Sequence, residues 1–85
     1  MYFAYIVRCV DGTLYAGSTN NLEKRIRQHN ESKSGAHYTK IRRPVALVYS
    51  EEYTTFKEAR AREAAIKQLS RKMKLALIET KRVGA

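Results

Sequence analysis

The chain has no tryptophan, a single cysteine, a single proline, four glycines and eight acidic residues among 85. Each scarcity excludes something. One cysteine, Cys9, allows neither an intrachain disulfide nor a thiolate cage for zinc, and is expected to be a small core residue of a protein in a reducing cytoplasm. No apolar run approaches the ~20 residues that span a bilayer; the longest lie at Phe3–Val7 and Val45–Tyr49. The N-terminus has no basic segment and its apolar run stops at Arg8, so no signal peptide is expected. There is no phosphate-binding P-loop, nucleophile elbow or glycine-rich dinucleotide loop. A chain this short is expected to hold one domain, 1–85, and excludes a TIM barrel, a full dinucleotide-binding fold and a two-domain enzyme.

What is abundant is positive charge. Seventeen Lys and Arg against eight acids give a net charge of +9, while 44% hydrophobic residues suit a folded domain. In so small a domain this imbalance points to a polyanion, nucleic acid before a membrane surface.

Residues 2–10 read as a strand rich in aromatic and β-branched side chains, Asp11-Gly12 marks a hairpin turn, and residues 13–18 return as a second strand. Two turns fit. A two-residue turn puts Tyr5 and Tyr15 on opposite faces. A three-residue loop with a left-handed Gly12 pairs Cys9 with Thr13, sets Tyr5 opposite Gly17 and Tyr15 opposite Val7, and puts both tyrosines on one face. Thr19-Asn20-Asn21 supplies capping residues for a helix running to about Asn30, on which Leu22, Arg25, Ile26 and His29 share one arc. Ser32–Ala36 is a polar loop, and Pro44 precludes helix in the ambiguous stretch before a third strand, Val45–Tyr53, weakened at its end by Glu51-Glu52. Thr55 and Glu58 form a capping box for a helix over 56–69, and Ser70 caps a last helix over 71–81 with Met73, Leu77 and Ile78 as core candidates. The order β-β-α-β-α-α implies an α+β domain, a small antiparallel sheet covered by helices.

Several groups could carry chemistry. Tyr5 and Tyr15 suit simple packing on a small sheet, but Gly17 in a strand interior marks a place where something comes close. Arg25 and His29 could lie at the helix border. They could equally act as a guanidinium fork for phosphate with an imidazole four residues along. Glu63 falls beside the apolar stripe of Phe56, Ala59 and Ile66; it is either salt-bridged to Arg60 or Lys67 or an oxygen ligand for Mg²⁺. His37 with Tyr38-Thr39-Lys40 is a loop that could touch phosphate. Arg60, Lys67, Arg71 and Lys74 align only if the helix runs unbroken past Ser70, and with Arg42 and Arg43 they could form a backbone-binding rim. A zinc site of His29, His37 and Glu63 has no recognised spacing.

Taken together, these residues resemble the GIY-YIG nuclease domain over about residues 2–80, and within it small stand-alone bacterial proteins. Phe3-Ala4-Tyr5 stands where the family has Gly-Ile-Tyr, and Tyr15-Ala16-Gly17 where it has Tyr-Ile-Gly; Arg25, His29 and Glu63 follow in order. Asp11-Gly12-x-Leu14-Tyr15, His37-Tyr38-Thr39, Arg43-Pro44-Val45 and Glu63-x-x-x-Lys67 complete the pattern. The first motif departs from the family by Phe3 for glycine, and both central isoleucines are alanine.

The resemblance implies a three-stranded antiparallel sheet flanked by helices. It also implies an endonuclease that hydrolyses DNA phosphodiesters with one Mg²⁺ or Mn²⁺, with branched or damaged DNA in repair as the candidate substrates. Glu63 would hold the metal, Arg25 the scissile phosphate, Tyr5 or Tyr15 would activate water, and His29 would assist. Gly17, His37, Lys40, Arg42, Arg43, Arg60 and Lys67 would contact nucleic acid. Both tyrosines must then share a face, which selects the three-residue turn. Because the chain reads as the nuclease core alone, a protein partner that supplies specificity is an alternative expectation, as is a non-catalytic nucleic-acid-binding module.

Overall fold

The structure, a computed structural model, describes residues 1–31 and 41–81. Strand β1 (Tyr2–Cys9) is paired on both sides, with β2 (Leu14–Thr19) on one and β3 (Val45–Tyr53) on the other, all antiparallel, in the order β2-β1-β3. Helix α1 (Leu22–Glu31) follows β2, and α2 (Phe56–Lys67) and α3 (Arg71–Glu79) follow β3. Among the described residues this is the α+β arrangement of three antiparallel strands and three helices that the sequence implies. The elements end slightly earlier than expected: β1 at Cys9, α2 at Lys67 and α3 at Glu79.

The apolar run of β1 is explained by burial on both faces. Ala4 and Ile6 join Ala16, Tyr49, Ile66 and Ile78 beneath α2 and α3. Tyr5, Val7 and Cys9 join Val45 on the opposite face, where Tyr15 and the α1 residues Leu22 and Ile26 pack against them. Cys9 is buried as a free thiol. Met73 departs from expectation: it is 54% exposed, whereas Ile78 is buried and Leu77 packs at the core margin. A nine-residue helix presents only a narrow stripe to the sheet, and Leu75, Leu77 and Ile78 fill it.

The hairpin takes the three-residue loop. Gly12 lies at φ 85°, its amide donates to the Cys9 carbonyl at 2.9 Å, and the Cys9 amide donates to the Thr13 carbonyl at 2.8 Å. Asp11 holds the turn by accepting from the Thr13 amide and hydroxyl at 3.1 and 2.6 Å. Tyr5 therefore pairs with Gly17 and Val7 with Tyr15, which fixes both tyrosines on the α1 face.

Each helix start is capped by a side chain the sequence offers. Asn21 accepts from the Lys24 amide at 3.0 Å, Thr55 from the Glu58 amide at 3.2 Å and Ser70 from the Met73 amide at 3.2 Å. The third strand holds two features that composition hides. Its register against β1 slips between Ile6 and Val7, where Val48 is the extra residue of a bulge. Its Glu51, expected to weaken the strand, anchors it: the carboxylate accepts from the Tyr49 and Tyr53 hydroxyls and from the Arg62 guanidinium at 3.0 Å. Arg62 precedes Glu63 on α2, so this pair fixes the helix that carries the candidate acid.

Gly12→Ala places a side chain at a left-handed backbone position and is expected to cost ~1–2 kcal/mol. Chemical denaturation checks this; unchanged stability contradicts the turn.

Candidate active site

The register leaves an opening that only glycine permits. A Cβ on Gly17 would lie 2.5 Å from Tyr5 Cζ and closer still to its hydroxyl. With hydrogen there, the Tyr5 ring crosses the neighbouring strand and its hydroxyl meets His29 Nε2 at 2.8 Å. The His29 ring is fully buried between both tyrosines, edge-on to Tyr5 at 5.9 Å and to Tyr15 at 5.6 Å. The i, i+4 spacing then brings Arg25 to the same cluster, where its guanidinium hydrogen-bonds Tyr5 and also donates to Gln28 Oε1 at 3.1 Å.

The end of α1 that carries His29 is pinned by residues the sequence reading did not assign to positioning. Asn30 clamps the start of β3, donating to the Val45 carbonyl at 3.0 Å and accepting from the Val45 amide at 2.6 Å. Arg43 donates to the His29 carbonyl and, at 3.3 Å, to that of Gln28, capping the orphan carbonyls of the helix end. Arg42 likewise points inward to the turn, pairing with Asp11 at 3.1 Å. Arg42 and Arg43, two members of the expected rim, thus hold the turn and the end of α1 in this structure. The arginine–proline junction and an Asn near the helix end are the signals that could have suggested it.

Glu63 comes from the other face of the sheet. Its carboxylate accepts from Ser18 Oγ at 2.5 Å and pairs with Lys67 Nζ at 2.8 Å, and the same ammonium lies 5.8 Å from the Tyr15 ring centroid. Because β2 is an edge strand, α2 reaches around it and the two faces meet there. Ser18 is the residue sequence reasoning missed; it directly follows Gly17 and so faces the opposite helix layer. Arg60 lies close enough for its charge to act on Glu63. Arg71 diverges after the break at Ser70, donating to the Gly12 carbonyl at 3.0 Å. His37 and Lys40 lie outside the described residues.

Electrostatics divide the roles. Burial pushes the Tyr5 phenol up to about 12, against the hydrogen bond and charge of Arg25. Burial also pushes His29 down to about 4, reinforced by the charges of Arg25 and Arg43. At neutral pH the pair is therefore a phenol and a neutral imidazole. With Arg25 donating to the phenol oxygen, the phenolic proton points to Nε2 and the ring proton sits on Nδ1. Burial works to raise the Glu63 carboxyl, but the Lys67 and Ser18 hydrogen bonds and the charges of Lys67 and Arg60 outweigh it, leaving an anion below its ordinary pKa.

One half-buried carboxylate beside the Ser18 hydroxyl suits a hard divalent cation, which keeps several of its waters, although in this structure its other oxygen is paired with Lys67. Among the described residues no group of three or more His, Cys, Asp or Glu could hold a metal, so a zinc cage has no support there. No helix among the described residues is long and apolar enough to cross a membrane.

Residues 1–76 match the family model of the GIY-YIG catalytic domain. The UPF0213 protein DP2720 of Desulfotalea psychrophila is 52% identical over 83 residues, covering 98% of this chain and 76% of that protein. The UPF0213 protein YazA of Bacillus subtilis is 49% identical over 81 residues, covering 95% and 81%. The solution NMR structure of the UPF0213 protein BH0048 from Bacillus halodurans matches with a TM-score of 0.62 and 36% identity, over 99% of this chain and 89% of that one. That of EF2693 from E. faecalis matches with a TM-score of 0.62 and 40% identity, over 93% and 83%. The chain belongs to the GIY-YIG catalytic domain family, a nuclease family whose substrate class is nucleic acid.

Gly17→Ala is expected to expel the Tyr5 ring and lower stability by ~1–3 kcal/mol, the usual cost of overpacking; loss of the Tyr5–His29 contact in NMR spectra checks it. His29 also sets a pH dependence. Its folded pKa of about 4 lies below the ordinary 6.5, so the unfolded chain binds the extra proton. Stability is then complete above pH 6.5 and falls towards pH 4.5, by on the order of 2 kcal/mol. Denaturant titrations across that window should flatten in His29→Gln; an unchanged slope contradicts the buried neutral imidazole.

Proposed function

We propose that this member of the GIY-YIG family is a divalent-metal-dependent endonuclease that hydrolyses DNA phosphodiesters, acting as a single domain over 1–85 in a reducing cytoplasm. The observation that carries the reading is the convergence, at one sheet edge, of two phenols, a neutral buried imidazole, a guanidinium and an ionised carboxylate. A merely structural sheet has no need of a glycine under Tyr5 or a carboxylate drawn round from the far helix.

Arg25 and Glu63 take the complementary charges. The Arg25 fork binds non-bridging phosphate oxygens and offsets charge that grows as a nucleophile adds. Glu63, with Ser18 fixing one carboxylate oxygen, would hold Mg²⁺ or Mn²⁺, and that cation supplies Lewis-acid charge at the phosphate. Lys67 faces both Glu63 and Tyr15, and so keeps positive charge at the edge where the strand must pass.

The tyrosines differ in access. Tyr5 is 1% exposed and retains its proton at neutral pH, so it orients His29 and Arg25 rather than meeting water. Tyr15 is half-buried, with the Lys67 ammonium 5.8 Å from its ring centroid. Tyr15 is therefore the tyrosine placed to activate the attacking water, while the neutral His29, held by the Tyr5 hydroxyl, positions both rings.

A nicking assay on plasmid and branched DNA tests this. With Mg²⁺ or Mn²⁺ the protein should nick, and chelation should stop it. Glu63→Gln and Arg25→Ala should each lose ~100-fold or more with the fold intact by circular dichroism. Tyr15→Phe should lose more than Tyr5→Phe. Cleavage surviving both Glu63→Gln and Arg25→Ala contradicts the proposal.

A further inference from the structure

Beside Glu63 lies a second feature that the proposed chemistry does not use. Tyr2 opens β1 and Phe56 opens α2, and their rings meet with centroids 5.4 Å apart and planes tilted by 41°. Phe56 remains 42% exposed, although a ring this size normally seeks burial. The Arg60 guanidinium lies 5.7 Å from its centroid. Tyr2 and Phe56 form one wall of a groove of about 340 Å³, completed by Ser18, Thr19 and Asn20.

The groove joins the candidate active site through Ser18, whose hydroxyl donates to Glu63. Phe56 and Glu63 are seven residues apart on α2, two turns along one face and roughly 10 Å along the axis. Arg60 sits between them, touching the Phe56 ring while its charge acts on Glu63. An exposed ring, a cation over it, polar hydroxyl and amide groups opposite, and a candidate phosphate site next door match the chemistry of one ligand. That ligand is an unpaired nucleobase on an anionic backbone: the π-face stacks on the ring, and Arg60 meets the adjoining phosphate. A base held in a duplex cannot present its face to the ring, so this site takes single-stranded or extruded nucleotides.

We propose that the Tyr2–Phe56 groove is a nucleobase-stacking subsite, which makes DNA with unpaired bases next to the scissile phosphate the preferred ligand. The inference rests on the endonuclease reading for its substrate, but its test does not need cleavage.

The probe is a fluorescein-labelled single-stranded 12-mer of DNA, compared with a 12-mer of the same backbone whose bases are replaced by abasic sites. Binding is read by anisotropy in chelator. Both strands carry the same phosphates, so the ratio of their dissociation constants isolates stacking. The unaltered 85-residue chain should bind the base-bearing strand roughly 5- to 100-fold more tightly, the range of one stacked base. Phe56→Leu, which keeps an apolar side chain at the helix start, should bring the ratio close to one, and Phe56→Trp should restore it. A ratio near one in the unaltered protein, or an unchanged ratio in Phe56→Leu, overturns the subsite. A ratio that collapses in Phe56→Leu while no nicking occurs overturns the endonuclease reading and leaves the subsite standing. Nicking with an unchanged ratio does the reverse.

Discussion

The Tyr5 ring lies across Gly17, and much else follows from that contact. It requires the bare backbone of glycine on β2 and the register that sets residue 5 opposite residue 17. It delivers a hydroxyl to His29, fixes the imidazole tautomer and brings Arg25 alongside. A hairpin turn one residue shorter would send Tyr5 and Tyr15 to opposite faces and leave His29 without its partner. The turn at Gly12 and the opening at Gly17 are thus one constraint, set by two glycines five residues apart.

The site is costly in its resting form and the fold compensates. A histidine buried without charge and a phenol held near 12 lie far from their values in water. Interactions placed just outside the cluster hold them there. Arg43 and Asn30 tie down the end of α1, and Glu51 with Arg62 fixes α2 against β3 one residue before Glu63. At the β2 edge of the sheet groups from opposite helix layers meet, and Lys67, reaching from α2 to the Tyr15 ring, spans it.

Much of this was legible in the sequence. Aromatic and β-branched content and the Asp11-Gly12 signal define the hairpin, but local turn chemistry permits two registers. Only the demand that Tyr5 and Tyr15 share a face selects the right one, and the structure has that register. The arc of Leu22, Ile26 and His29 faces the sheet as its spacing implies. Less visible were contacts between residues remote in sequence. Glu51 looks like a poor strand residue until Arg62 and two tyrosines surround it. Arg42 and Arg43 look like free surface charge until they meet the turn and the end of α1. Ser18 carries no signal of its own, since a serine after a strand glycine is ordinary. Composition reports charge but not where it is already spent.

The central claim is that these groups converge on one phosphodiester, and chemical-shift mapping tests it most directly. A ¹⁵N-labelled sample, titrated with a short DNA oligonucleotide in the absence of metal, should shift the Gly17 and Ser18 amides, the Arg25 side-chain Nε and the His29 ring nitrogens together, with one common affinity. If those signals stay fixed while the largest shifts fall on β3 and α3, the phosphate binds elsewhere and the account is wrong.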